Sequence, residues 1–352
     1  MTNLPTFTTV AAELPRDRWG RPLISPPDGG EAVAYQRVTT FVKVLEDTFH
    51  LSRWQQRMVA LGMANRRDLV LAATAITNPD NAMQKRNLND IAKSAIDAAK
   101  GHAAATTGTA LHSFTERIDR GEDVSNIPDE FAADLAAYAA IIVPFEILAI
   151  EGFCVIDELR VGGSYDRILR FTFEGLKAYE ASHGARLCYP DGVEVDANDA
   201  VIGDLKTGKS VDFGGGAIAM QLGTYANAVD YSHTLGTRSP LAGNPSRKWA
   251  VVIHLPAGKG HAQLVWFDVE AGFNAARDIA TQVHAWRKRK DISFPFAMTP
   301  SAPRSASSLV EQIAAATSPA AVRAVYAANS TVWTPGLTTL AAARVAELEV
   351  SK

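Results

Sequence analysis

Cysteine is scarce in this chain. Two residues, Cys154 and Cys188, among 352 cannot build a disulfide framework or a four-thiolate metal site by themselves. Long apolar runs are missing too, since no stretch approaches the ~20 residues that a membrane helix needs. The opening MTNLPTFTTVAAELPRDRW has no basic start followed by an apolar run, so no secretory signal is legible. Charge of one sign is also missing. The net charge of -3 exerts no global pull on nucleic acid, and a DNA-binding role would need a local basic groove. Solenoid repeats and low-complexity tracts are absent. What remains is an ordinary globular composition, 47% hydrophobic and 21% charged. Its length suits one large domain with an appendage, or two domains. The expectation is a soluble cytoplasmic protein, not bound to a membrane.

The apolar spacing divides the chain. Residues 1–35 are rich in Pro, Gly and charge and read as an irregular lead. Leu51, Trp54, Met58 and Leu61 recur with a helical period. Further helices are expected near 88–100, around Leu111, Phe114 and Ile118, and over 129–150. The texture then turns to strands. Segments 151–160 and 164–173 flank Gly162-Gly163 as a hairpin, and 200–206 reads as a short buried strand. Between them, Pro190-Asp191-Gly192 marks a turn. A helix at Ile218–Val229, strands at 249–255 and 263–269, and a helix at Phe273–Trp286 complete a core expected over 36–295. The prolines and serines of 296–306 read as a linker to an Ala-rich helical appendage at 307–352. Helices, then strands with an inserted helix, then helices predict an α/β or α+β fold, a mixed central sheet flanked by helices.

The segment GDLKTGKS at 203–210 fits two patterns. As a phosphate-binding loop it offers Gly203, Gly208, Lys209 and Ser210. That mechanism needs a helix starting at the Lys-Ser pair. Gly214-Gly215-Gly216 follow closely, each costing about 1 kcal/mol in a helix relative to Ala. The second pattern is Asp204-Leu205-Lys206 on a strand. Alternation puts Asp204 and Lys206 on one face and Leu205 on the other. An acid can then hold a hard cation beside an ammonium that steadies a water or a phosphate. Alone, the tripeptide is more simply a surface ion pair.

Its neighbours add to it. Asp166 lies in Gly163-Ser164-Tyr165-Asp166, where a sheet can bring it beside Asp204; alone it would be an ordinary turn-flanking Asp. His112 and Glu116 are four apart on one helix stripe, as are Gln221 and Tyr225 on another. Taken singly these are an exposed histidine and a core tyrosine. In order, Gly108/His112/Glu116, Gly163/Asp166, Asp204/Lys206/Thr207 and Gln221/Tyr225 resemble the RecB-like branch of the PD-(D/E)XK nucleases, which includes phage exonucleases and CRISPR-associated adaptation nucleases. The likeness covers roughly residues 100–230, with a weaker extension to Val38-Thr39-Thr40-Phe41 and to 249–269.

That resemblance implies a restriction-endonuclease-like core and a Mg²⁺- or Mn²⁺-dependent DNA exonuclease. In similar enzymes the metal is bound through His112, Asp166, Asp204 and the Leu205 carbonyl. Lys206 would orient the attacking water, and Glu116 would act on the metal through a water. Thr207, Gln221 and Tyr225 would position the substrate strand or brace the site. Several relatives hold an iron–sulfur cluster on four cysteines. No cysteine follows Cys188 here, so no cluster is expected. DNA with an accessible end is the implied partner, in recombination, repair or replication, and the C-terminal helices could recruit a protein. Two alternatives remain: a catalytically silent nuclease fold that binds DNA or assembles complexes, and a P-loop NTPase. The basic run Arg287-Lys288-Arg289-Lys290 could touch phosphates or simply complement a helix end.

Overall fold

The computed structural model describes residues 14–101, 103–293 and 306–350. Two compact units emerge, residues 1–288 and 289–352. The expected linker at 296–306 lies outside the described residues except for Ala306, which begins a helix.

The first unit carries two five-stranded mixed sheets. Strands β1 (Leu23–Ile24) and β2 (Val33–Ala34) form a small separate pair. One large sheet contains β3 (Gln36–Arg37), β5 (Phe153–Ile156), β6 (Val161–Ser164), β9 (Val229–Ser232) and β10 (Thr237–Ser239), in the order β10-β9-β5-β6-β3. The other contains β4 (Phe145–Ile150), β7 (Arg167–Phe171), β8 (Ala200–Lys206), β11 (Trp249–His254) and β12 (Gln263–Asp268), in the order β12-β11-β8-β7-β4. The α+β class is as expected, but the strands divide between two sheets instead of forming one.

Helices α1 (Val38–Val42), α2 (Phe49–Asn65), α3 (Arg67–Thr74), α4 (Ala82–Ala98), α5 (Ala103–Asp119) and α6 (Ala132–Ile141) are interleaved with the first strands. Next come α7 (Phe173–His183) and α8 (Gly215–Ala226). Then α9 (Val269–Asn274) passes through a π segment (Ala275–Ala280) into α10 (Thr281–Arg287). Helices cover the sheet of β8 on both faces. Ile168, Ile202 and Val252 pack with Val38, Phe41, Leu222 and Tyr225. Leu169, Val201, Leu205 and Ile253 pack with Leu111, Leu135 and Tyr138. Burial on both faces explains why β8 reads as a short apolar run around its Asp.

Several sequence expectations are corrected. Residues 145–150 form β4, not the end of a helix: α6 stops at Ile141, Pro144 cannot continue it, and Phe145 packs on Phe171 across the sheet with ring centroids 4.6 Å apart. The hairpin turns at Asp157–Arg160, where Arg160 adopts φ 50°, and not at Gly162-Gly163. Those glycines lie inside β6, at positions packed closely by neighbouring side chains. A Cβ on Gly163 would stand 3.2 Å from both Tyr225 and Val38. The lead is more ordered than expected, since Ile24 and Tyr35 are buried with Val155 and Tyr231. Helix α7, hidden in a polar stretch, is set by Thr172, whose hydroxyl accepts the Gly175 N–H, and ends at left-handed Gly184.

The second unit holds α11 (Ala306–Ala315), α12 (Pro319–Ala328) and α13 (Pro335–Val350) around Leu309, Ile313 and Leu337. Ser318 caps α12, with Pro319 at its first position. Among the described residues no helix is long and apolar enough to cross a membrane.

Candidate active site

The site grows from one bent hairpin. Strand β4 pairs with β7 in one sheet, and β5 pairs with β6 in the other. The chain therefore changes sheet twice, at Glu151-Gly152 going out and at Tyr165-Asp166 coming back. The two crossings are tied together: Glu151 N–H donates to the Asp166 carbonyl at 2.9 Å, and Tyr165 N–H to the Gly152 carbonyl at 3.0 Å. Gly152 is required there, because a Cβ would fall 2.0 Å from the Tyr165 hydroxyl.

Asp166 stands at this bend, one residue before β7. The register Arg167↔Gly203, extended by one step, sets it opposite Asp204. Its Oδ2 accepts the Leu205 N–H at 3.0 Å and lies 3.5 Å from His112 Nδ1. One carboxylate thus links helix α5 to the central strand. Asp204 is 1% exposed, and Lys206 Nζ is 2.6 Å from its Oδ2. The Lys206 ammonium is thus the charge that faces the buried Oδ2. Burial first, and then the Asp166 charge, push the Asp204 carboxyl well above the usual aspartate range, against the pull of Lys206. Burial pushes His112 down, aided by Arg167 and Lys206 and opposed by Asp166 and Glu116. The result favours the neutral imidazole, which is the metal-binding form.

Glu116 follows one turn after His112 and pairs with Arg120 at 3.0 Å. Thr207 closes the end of β8 against α5, where a Cβ on Gly108 would meet its Oγ1 at 2.6 Å. The glycine of the first motif therefore permits the close approach of α5 to β8. Gln221 Nε2 reaches the Tyr225 hydroxyl at 3.5 Å. Tyr225 is 2% exposed and packs beside Gly163, so it braces the site from within the core; Gln221 is the half-buried member of the pair.

Two residues escape a reading of the sequence. Glu151, at the outgoing crossing, has φ 53°, uncommon for a residue with a side chain. Burial of its carboxyl group, then Asp166 and Glu116, push it to about 7; the residue as a whole is exposed, so solvent screening trims this effect. Its position becomes meaningful only once 145–150 is seen as a strand. Arg167 is fully buried. Its Nε donates to Asp119 at 2.6 Å and its Nη2 to the Thr115 hydroxyl at 2.8 Å, while Nη1 has no hydrogen-bond partner among the described residues. Thr115 and Asp119 lie three and seven residues beyond His112, on the same stripe of α5. Arg167 thereby sets the register of the helix that delivers His112 to the residue next to Arg167 in sequence. The visible signal was a charge at the head of the apolar strand Arg167-Ile168-Leu169.

Among the described residues no three His, Cys, Asp or Glu side chains stand together as a ready metal site. Asp166 is the link among the three expected ligands, lying between His112 on α5 and Asp204 on β8. Their chemistry suits a hard divalent cation: two carboxylates and a neutral imidazole. The phosphate-loop geometry is not formed. Gly203 lies within β8, where a Cβ would be 2.5 Å from Leu169. Lys209 and Ser210 precede a 3-10 turn at Asp212–Gly214, and α8 starts only at Gly215. Of the basic run, Arg287 reaches the Val44 carbonyl at 3.4 Å and Arg289 pairs with Asp291 at 2.7 Å.

No protein-family model matches the chain, and no curated protein is significantly similar to it.

Proposed function

We propose that this chain is a Mg²⁺- or Mn²⁺-dependent deoxyribonuclease of the RecB-like PD-(D/E)XK type, hydrolysing phosphodiester bonds at DNA ends. The observation that carries the reading is the position of Asp166, bonded to the Leu205 N–H and set 3.5 Å from His112, with Lys206 on the Asp204 face. His112, Asp166, Asp204 and the Leu205 carbonyl would hold the cation. When bound, it would supply an activated water and offset phosphate charge. Lys206 would place an ammonium against the attacking water and the phosphoryl oxygens. Glu116 and Glu151 would accept hydrogen bonds from waters at the rim, and Gln221 would steady the strand. A setting in recombination, repair or replication in bacterial or phage-infected cytoplasm fits this chemistry, with the C-terminal helices as a docking element for a partner.

The test is incubation with end-labelled single- and double-stranded DNA, with Mg²⁺ or Mn²⁺, with and without ATP. Metal-dependent, ATP-independent release of nucleotides from ends is expected. Lys206→Ala should slow cleavage ~100- to 1,000-fold, the usual cost of losing a transition-state donor, while calorimetry shows metal binding retained. DNA binding without cleavage by the parent protein would establish a silent module instead, and cleavage undiminished in Asp204→Asn would refute the site.

A further inference from the structure

Strand β6 ends at Ser164 and β7 begins at Arg167, so Tyr165 and Asp166 belong to neither strand. Two backbone bonds tie this crossing to Glu151-Gly152, and two side-chain bonds tie it to different sheets. Asp166 bonds forward, its Oδ2 accepting the Leu205 N–H of β8 at 3.0 Å. Tyr165 bonds back. Its hydroxyl donates to Asp230 Oδ1 at 2.9 Å, and Asp230 lies on β9, opposite Cys154 of β5.

The surroundings of Tyr165 fix the course of its ring. The residue is buried, in the same core as Cys154, Ile168 and Tyr225. Gly152 gives the ring passage, since a Cβ there would fall 2.0 Å from the hydroxyl and 2.2 Å from Cζ. Asp230, where the hydroxyl arrives, is half-buried. Burial pushes its carboxyl up, and the Tyr165 hydroxyl opposes that rise. Aspartate is depleted in strands. Its place on β9 is explained by the Tyr165 bond, because an ionised carboxylate is a stronger acceptor than a neutral group.

The bond acts on the site through a single peptide unit. Asp166, the next residue, makes the contacts that organise the candidate ligands, to Leu205 and, at 3.5 Å, to His112 Nδ1. With Tyr165 held to β9 and Asp166 to β8, the crossing is fixed from both sides. Without the Tyr165 bond, the side facing β9 is released.

We infer that Asp230 and Tyr165 are positioning residues, a clamp that holds the Asp166 carboxylate against β8. Its purpose, metal binding, rests on the proposed nuclease reading, but the clamp itself is tested in metal-free protein. Tyr165→Phe removes only the hydroxyl, Asp230→Ala removes the acceptor, and Asp230→Asn keeps an acceptor oxygen. Tyr189→Phe is the control: Tyr189 donates to Asp199 at the same 2.9 Å, but at the other end of β8, beside Ala200. Two measurements are made on the full-length protein. In chelator, hydrogen exchange read by mass spectrometry should quicken in peptides covering 150–153 and 203–206 for Tyr165→Phe and Asp230→Ala, and stay at the parent rate there for Asp230→Asn and Tyr189→Phe. In calorimetry, Mn²⁺ affinity should fall about 10- to 100-fold in the first two, the usual cost of losing an outer partner of a metal ligand, and stay close to the parent's in the other two. Exchange in Tyr165→Phe and Asp230→Ala that matches the Tyr189→Phe control would overturn the inference, as would Mn²⁺ affinity equal to the parent's in both. Exchange that responds as expected in a protein whose parent binds no Mn²⁺ would sink the nuclease reading and leave the clamp standing.

Discussion

Replacing Arg167 by Met would strand a carboxylate inside the protein. Arg167 and Asp119 have side chains 0% and 2% exposed, with Nε 2.6 Å from Oδ2. Without the guanidinium, the partner left to Asp119 among the described residues is the Tyr138 hydroxyl, now 2.7 Å from its Oδ1. Removing one member of a buried pair typically costs about 3–5 kcal/mol, mostly through the uncompensated charge. The lost hydrogen bond to Thr115 is a smaller part, about 1 kcal/mol. Urea unfolding of Arg167→Met should therefore show a loss of about 4 kcal/mol. Adding Asp119→Asn removes the stranded charge, so the double variant should be more stable than Arg167→Met alone. The functional readout is separate. With α5 no longer pinned to β7, His112 loses its fixed distance to Asp166, and Mn²⁺ affinity should fall even at temperatures where the variant is folded. A cost below about 1 kcal/mol, or single-variant costs that simply add in the double, would refute the claim that this pair sets the helix register.

Other outcomes follow from the same geometry. The Asp204 carboxyl is raised, so the folded state keeps a proton that the unfolded chain gives up above about pH 4; metal-free stability should fall as pH rises from there toward neutrality. Asp204→Asn should then be more stable than the parent in chelator at pH ~8, with the gap closing near pH ~4, as read by thermal melts; a variant less stable at the higher pH would contradict the burial argument. Gly272→Ala should destabilise the α8–α9 crossing by about 1–3 kcal/mol, since its Cβ would fall 2.1 Å from the Ala219 carbonyl oxygen; an unchanged urea midpoint would show that the crossing yields freely. Lys209→Ala should leave DNA cleavage intact, and saturable ATP binding lost in that variant would restore the phosphate-loop reading.

What the sequence determined by itself was whatever local periodicity controls. The stripe of Leu111, Phe114 and Ile118 became α5, alternation in Asp204-Leu205-Lys206 separated acid and ammonium from the buried leucine, and the glycines at 258 and 260 turned β11 into β12 with positive φ. Each depends on a repeat of two or 3.6 residues or on one residue's own dihedral freedom. Only the tertiary structure decided the rest. Gly162 and Gly163 carry the sequence signature of a turn, yet Tyr225, about sixty residues away in the chain, presses on Gly163 and makes it a packing position. Residues 145–150 continue an apolar pattern that suits either helix or strand, and partners on β7 made them a strand. Glu151 and Arg167 acquired their surroundings only when that hairpin bent across two sheets and set both beside Asp166. A charge's environment is a sum over neighbours from every part of the chain, and its own sequence window contains almost none of them.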